Sequence, residues 1–325
     1  MLKSCIIYNP AAGRGQARHF ISAARRSLGI TADLWTTTQP QQAETLAKQA
    51  AHSGYHRVIA AGGDGTVHEV ANGLLDSGQS DIVLGVLPIG SMNDYAAALG
   101  IDAEAIRRGQ KPTTEIITVD VGIARAGNRE RFFVNGLGIG FNGMVTIESR
   151  KILGLRGLPL YTLALFQAMI RHFAHPNWEM ILDNRRIRSP SLALSVNLGI
   201  REGGFQVTPR AELSDGWFDY LHATTLTRWE LLRFVPALIT GTIPKNHPRI
   251  HTGQCRTARV LSDSPLCVHA DGELLCVPED RICEVTVTLI PGRLRVEAIP
   301  RHARTRQADH AMNQVPASSV AIQRP

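Results

Sequence analysis

The segment VIAAGGDGTVHEVANGLL, residues 58–75, sets one carboxylate, Asp64, among glycines where an apolar run gives way to helical spacing. Glycines at a strand-to-helix turn let backbone N–H groups close on an anion at the positive end of the helix. A carboxylate at that spot would repel a phosphate, so a divalent cation between the two is the chemistry that reconciles them. Further acids recur downstream: LPIGSMND ends in Asn93 and Asp94, LSDGWFD carries Asp215, and ADGELL carries Asp271 and Glu273. The last two stand two residues apart in a strand-like segment and so can face one side. Asp64, Asp215 and Glu273 are far apart in sequence and converge only if two domains close on one cleft.

The elements that must position these residues fall into two patterns. The first third alternates short β-branched runs with amphipathic segments, KSCIIYN, QARHFISAARRSLG, ADLWTTT, QQAETLAKQAAHSG, RVIAAGG, TVHEVANGLLDSG and DIVLGVLP. That β-α-β alternation predicts a parallel sheet covered by helices on both faces. Val67, Val70, Leu74 and Leu75 fall at helical spacing, so the helix after GGDG packs one side on the sheet. Open α/β sheets bind ligands beyond the carboxyl ends of their strands, where NPAAGRG, GGDGT and PIGSMND would meet. From about Asp120 the chain changes to many short strands separated by turn residues, a sandwich or barrel pattern. Two helix-period segments, LPLYTLALFQAMIRHF and LTRWELLRFVPALITG, interrupt it. The expected division is an α/β domain over residues 1–122, a β-rich domain over 123–300, and a mobile tail over 301–325, which lacks apolar periodicity.

Composition narrows the class. The chain has 325 residues, 44% of them hydrophobic, enough for two domains with real cores. It contains no run of about 18 apolar residues and no signal-peptide h-region, which leads us to expect a cytoplasmic protein. Five cysteines without a C-x-x-C pair point to reduced thiols rather than to disulfides or zinc. A net charge of +7 and a pI near 9.5 call for an anionic partner. No aromatic-interleaved basic stripe favours nucleic acid. The basic and apolar stretch SRKILGLRGLPLYTLALF suits peripheral contact with an anionic membrane instead. GIGFNG, residues 138–143, matches G-x-G-x-x-G but lies in the β-rich half with no βαβ unit around it, so it reads as a glycine-rich turn lining an interdomain cleft.

In their order along residues 1–300, NPAAGRG, GGDGTVHEVANGL, LPIGSMNDYAAALGI, GGFQVTPRAELSDGWFD and ADGE resemble the successive motifs of the soluble diacylglycerol kinase and lipid kinase family, which includes sphingosine and ceramide kinases. The resemblance implies a doubly wound α/β nucleotide-binding domain and a β-sandwich domain with helical insertions. It also implies ATP- and Mg²⁺-dependent phosphorylation of a lipid hydroxyl, diacylglycerol or a related glycerolipid or sphingolipid. Carried over by motif, Asn9, Thr37, Gly62, Gly63, Asp64, Gly65, Thr66, Ser91, Asn93 and Asp94 would handle the nucleotide. Thr36 and Thr38 flank Thr37 closely enough to leave its register open by one. Ser91 replaces the family's usual threonine and keeps a hydroxyl; with Asp94 it also fits an S-x-x-D helix cap. Asp215, with the carbonyls of Glu212 and Trp217, would hold a structural magnesium, although Ser214 stands where many relatives have a second acid. Glu273 would be the proton acceptor, with Asp271 beside it and Asp64 orienting the metal.

Two rival readings remain. NAD kinases and phosphofructokinases, which act on soluble small molecules, share a GGDG loop and lack the GSMND and ADGE combination. A nonenzymatic lipid-binding regulator would be expected to have lost Asp64 or Glu273. The acceptor lipid is not legible, and homodimer formation is left open.

Overall fold

The computed structural model describes residues 3–10, 12–15, 17–28, 31–110, 112–244 and 246–300; the expected tail over 301–325 lies outside them. The first third alternates as its periodicity predicts. It runs β1 (Ser4–Tyr8), a 3-10 turn (Ala12–Gly15), α1 (Ala17–Leu28), β2 (Asp33–Thr36), α2 (Gln42–His52), β3 (Arg57–Gly62), α3 (Asp64–Asp76) and β4 (Val83–Pro88). The strands are parallel in the order β2-β1-β3-β4. Val67, Val70, Leu74 and Leu75 are buried, as the spacing of α3 requires. Because the chain moves from β1 out to β2 and then crosses back past β1 to β3 and β4, the carboxyl ends of these strands form the crevice expected of a doubly wound sheet.

Two short helices, α4 (Asp94–Ala98) and α5 (Ala103–Arg107), lead to β5 (Glu115–Ala126), β6 (Arg129–Phe133) and β7 (Gly136–Gly140). The helical insertion is a pair, α6 (Phe141–Lys151) and α7 (Gly157–Arg171). Next come β8 (Asn177–Leu182), β9 (Arg185–Pro190), β10 (Ala193–Asn197), β11 (Phe218–Ala223) and α8 (Arg228–Thr240). Strands β12 (Ile250–Cys255), β13 (Thr257–Ser262), β14 (Val268–Ala270), β15 (Glu273–Cys276) and β16 (Glu284–Ala298) finish the described chain.

The C-terminal half is an antiparallel β-sandwich. One layer is the six-stranded sheet β12-β11-β10-β7-β14-β15, and Phe218 of β11 stacks on Phe133 of β6 across the core at 5.5 Å. The other layer continues from the first domain, in the order β2-β1-β3-β4-β16-β13-β8-β9 with β5 and β6 attached to β16. Strand β16 achieves this by running through both halves. Its early residues pair with β13, and near its end Arg295 and Val296 pair in parallel with Val83 and Leu84 of β4. The two halves therefore share ladder hydrogen bonds, and β5 runs through residue 122.

Helices α7 and α8 cover the outer face of the six-stranded sheet. Leu165 and Met169 of α7 and Leu231, Phe234 and Leu238 of α8 pack with Phe141, Leu192 and Leu221 in a second core. A capping box between Thr227 and Glu230 starts α8, and Gly241 in the left-handed region ends it. Glu148 of α6 ties the insertion together. Burial would push its carboxyl up, yet Lys151, His172 and Arg171 hold it down at about 2. Cys5, Cys255, Cys267 and Cys276 are buried free thiols, and Cys283 is exposed.

Candidate active site

The crevice is lined first by backbone. Gly63 precedes α3 in extended conformation and Asp64 is the first helical residue, so the free amides of the helix start open onto the cleft. The next loop, IGSMND, lies directly against this turn. A Cβ on Gly63 would stand 3.3 Å from Gly90 Cα, and a Cβ on Gly90 would overlap Gly63, so two glycines let two main chains touch. Gly62 likewise leaves no room for a side chain beside the Thr66 hydroxyl. Asn9 follows β1 and accepts at its carbonyl from Ala12 N–H (3.0 Å). Thr37 follows β2, buried, with its hydroxyl 3.4 Å from Tyr8 O, while Thr38 bonds the Gln42 side chain.

Two carboxylates crowd this wall. Asp64 Oδ1 accepts from Tyr95 N–H (3.1 Å), and Asp94 Oδ2 accepts from Gly204 N–H (2.9 Å), a residue of the sandwich half. Asp94 Oδ1 and Asn93 Oδ1 are buried without a partner. Burial pushes the Asp64 carboxyl up and the Asp271 charge adds to it. Burial likewise raises Asp94, to about 7, with the Asp64 charge second. Ser91 is exposed, and α4 starts at Asn93 in the left-handed region without a side-chain cap. The S-x-x-D capping alternative therefore does not hold. Asp94 is turned to the cleft and the neighbouring domain.

The opposite wall is a hairpin. Ala270 pairs with Glu273, and the two residues between them, Asp271 and Gly272, both have positive φ (51° and 85°), the pattern of a type I′ turn. Asp271 and Glu273 thus do not share a strand face as their spacing suggests. Asp271 turns inward, where Oδ1 accepts from Asn135 and Gly136 N–H and Oδ2 from Val134 N–H, each at 2.9 Å. His68 Nδ1 adds a fourth bond at 3.0 Å, its ring held from behind by Arg131 Nε at 3.3 Å from Nε2. Both oxygens of Asp271 are occupied, Oδ1 within the sandwich half and Oδ2 in joining it to His68 of α3. Glu273 turns outward instead, its side chain 44% exposed. Arg150 reaches both Glu273 Oε2 (2.8 Å) and Gly272 O (3.2 Å), fixing the carboxylate on the turn. Glu273 Oε1 lies 3.7 Å from where a Cβ on Gly65 would stand, so it faces the GGDG turn across the cleft.

The hairpin tip separates two unlike cavities. On one side is a polar recess bounded by Gln39, Gln42, Glu44, Glu69, Arg131 and Glu273. On the other is an apolar pocket that begins at Asp64, Asp94 and Asp271 and ends among Leu165, Leu226, Leu231, Phe234 and Leu238, beneath α7 and α8.

Asp215 lies in neither cavity. Its Oδ1 accepts from Trp217 N–H (3.0 Å) across an Asp-Gly turn, and its surroundings are Glu212, Asp120 and Asp219. The convergence of Asp64, Asp215 and Glu273 does not occur; Asp64 and Asp94 stand together on one wall, and Glu273 faces the GGDG turn from the other. Burial raises the Asp215 carboxyl, and the charges of Glu212 and Asp120 raise it further. Among the described residues no three His, Cys, Asp or Glu side chains are grouped to hold a metal ion. Sequence reasoning missed His68 and Arg150, which lie inside stretches read for other reasons, and Glu202 and His269, each directly before a motif. Only the Asp-Gly pair of ADGE, a hairpin-turn signal, could have corrected the placing of Asp271.

Comparison with known proteins agrees with this architecture. Residues 3–124 match the diacylglycerol kinase catalytic domain, and residues 137–298 match the YegS C-terminal NAD kinase beta sandwich-like domain. The diacylglycerol kinase of Bacillus subtilis (strain 168) is 28% identical over 280 residues, covering 84% of this chain and 90% of its own. A Klebsiella pneumoniae (strain 342) protein called "Probable lipid kinase YegS-like" is 29% identical over 300 residues, covering 91% and 95%. The crystal structure of a diacylglycerol kinase from Bacillus anthracis str. Sterne has the same fold, with a TM-score of 0.66 at 20% identity over 92% of this chain and 97% of that one. On the two matched domains, which span nearly all the described residues, the chain belongs to the diacylglycerol kinase and YegS-like lipid kinase family of phosphotransferases.

Proposed function

We propose that the chain is an ATP- and Mg²⁺-dependent lipid kinase that transfers the γ-phosphoryl group to the hydroxyl of diacylglycerol or of a related glycerolipid or sphingolipid. The observation that carries this reading is the position of the Asp271–Glu273 turn between a polar recess and an apolar pocket. Phosphoryl transfer asks chiefly for alignment and charge neutralisation. ATP would lie along the amides of the GGDG and IGSMND turns, with Asn9, Thr37, Thr66 and Ser91 around it. Asp64 and Asp94, with the unpartnered Asp94 Oδ1 and Asn93 Oδ1, fit a cation, since the Asp64 charge adds to burial in raising Asp94 and a cation there would relieve both. Magnesium bound there would neutralise charge on the phosphates. Glu273, held by Arg150, would accept the proton of the attacking hydroxyl, a role worth about 10²–10⁴-fold.

Asp215 and the carbonyls of Glu212 and Trp217 would hold a second, structural cation, which the charges of Glu212 and Asp120 would favour without ligating it. The apolar pocket would take the acyl or sphingoid chain. An apolar pocket of this length in line with the acids favours a lipid over a nucleoside or sugar phosphate.

Membrane contact would be peripheral, through the outer sides of α7 and α8. No described helix is long and apolar enough to cross a bilayer. Leu153 (91% exposed), Ile170 (72%) and Trp229 (74%) stand out from the surface there, among exposed Arg156, Arg171, Arg228 and Arg233. Each basic residue near an anionic surface contributes about 1 kcal/mol, so binding to phosphatidylserine vesicles should weaken steeply with salt. Salt-indifferent sedimentation would rule this contact out.

The deciding assay offers labelled ATP and Mg²⁺ with diacylglycerol, sphingosine and ceramide in mixed micelles, beside NAD and fructose 6-phosphate. Label entering an organic-phase product supports the reading. Label entering only a water-soluble product overturns it in favour of a soluble small-molecule kinase.

A further inference from the structure

One polar strip runs along the otherwise apolar pocket wall, and the functional reading leaves it without a task. His269, 3% exposed, is the second residue of β14, two positions before the turn. Its Nδ1 accepts from Gly272 N–H at 3.2 Å, and its Nε2 lies 2.9 Å from Glu202 Oε1. An amide can only donate, so Nδ1 carries no proton there, and the Nε2 proton points at Glu202. Glu202 Oε2 accepts from Ser195 Oγ (2.9 Å), which accepts in turn from Asn142 Nδ2 (2.6 Å). Burial raises the Glu202 carboxyl, yet His269 and Ser195 together bring it below its usual value.

Two facts tie this strip to the cleft. Gly204, two residues beyond Glu202, donates its N–H to Asp94 (2.9 Å), so one short segment touches both the hairpin and the nucleotide-side acid. Gly138 lies beneath the pair, where any Cβ would overlap His269 Nε2 and stand 2.9 Å from Glu202 Oε1. The first glycine of GIGFNG thus makes room for a buried pair.

We propose that Glu202 and His269 are positioning residues that set the Gly272–Glu273 backbone, and with it the Glu273 carboxylate, in register with the Asp64 and Asp94 wall. This rests on Glu273 being the proton acceptor. Arg150 holds the turn from the solvent side and His269 from the core. A shift of about 1 Å at a reacting group can cost about 10²-fold.

The test compares wild type, Glu202→Gln, His269→Phe and the double variant in two measurements. In diacylglycerol micelles, kcat should fall about tenfold or more in each single variant with the KM for ATP within about twofold, and the double variant should be no worse than His269→Phe. By hydrogen-exchange mass spectrometry, amides 270–274 should exchange faster in both variants, with β10 and β11 unchanged. A kcat within twofold of wild type, or a matching rise in the KM for ATP with general loosening, overturns the proposal. So does unchanged exchange at the turn. Should His269→Phe not fold, Glu202→Gln keeps shape and carries both measurements. A wild type that phosphorylates no lipid defeats the functional reading, while the exchange measurement still decides whether the pair holds the turn.

Discussion

The two walls of the cleft are built differently. The α/β wall is made of main chain: Gly62, Gly63 and Gly90 bring two loops into backbone contact, and its acids stand at helix starts. The sandwich wall is made of side chains drawn from α6, β10, β11, α7, α8 and the β14–β15 hairpin. A backbone wall suits a ligand common to many enzymes, because amides and helix starts recognise phosphate whatever carries it. A side-chain wall can change its shape residue by residue, and so is where one acceptor is told from another.

The sharpest way to break this division is Asp64→Ala. If the backbone wall serves the metal nucleotide, loss of its cleft-facing acid should remove activity by about 10³-fold or more on every acceptor alike. The fold should persist, since the Asp64 carboxylate bonds only backbone N–H groups, Tyr95 foremost, and packs no core. Circular dichroism and a kinase assay over several lipids check it; a loss confined to one lipid would place Asp64 on the wrong wall.

The hairpin belongs to the second wall yet carries the proton acceptor, which makes it the point where the division is most exposed. Glu273→Gln should lower single-turnover transfer by about 10²-fold and leave ATP affinity by calorimetry nearly unchanged. Asp271→Asn should act on stability. It replaces one acceptor oxygen by a donor facing Val134 N–H and His68 or Asn135 and Gly136 N–H, a loss of about 1–3 kcal/mol seen in urea unfolding. If Asp271→Asn instead lowers turnover at unchanged stability, the roles assigned to the two acids are reversed.

This asymmetry also explains what could be read in advance. The parallel sheet and GGDG turn were legible because period-2 and period-3.6 patterns follow one another there and each loop is a contiguous motif. The path of β16 was not, since EVTVTLI reads as one short strand and the chain beyond it gives no sign of returning to β4. Asp271 was misplaced by counting two residues along a strand through a turn that reverses direction. Asp215 was expected to reach Asp64 and Glu273 only if two domains closed on one cleft, whereas Asp94 stands beside Asp64 from within a motif already recognised. The pocket wall was invisible, since Leu165, Leu221 and Phe234 look like any core residues until α7 and α8 fold over the sheet.

Filling the pocket tests its side of the comparison more gently. Ala193→Phe should raise the KM for long-chain diacylglycerol about tenfold, with the KM for ATP unmoved and a short-chain substrate less affected. Equal effects on both chain lengths would mean that the pocket does not hold the tail.

The smallest expected effect concerns the charge stored on the backbone wall without a cation. Asp94 is 4% exposed, and its carboxyl is raised from 3.8 to about 7, first by burial and then by Asp64. A folded-state value above the unfolded one means that the native protein binds the proton more tightly, so this contribution to stability is fully present below about pH 4 and is lost as pH rises through about 7. Between those limits the metal-free protein should lose stability on the order of a few kcal/mol from this group, shared with Asp64 because the two acids titrate together. Asp94→Asn removes the charge while its amide oxygen can still accept from Gly204 N–H. The variant should therefore show a flatter dependence of Tm on pH between 5 and 8 than wild type in a chelating buffer. Mg²⁺ with an ATP analogue should flatten the wild-type profile as well, because a cation between the acids takes the place of the proton. A variant profile parallel to that of wild type would show that Asp94 carries no strained charge, and the fit of a cation to this wall would fall with it.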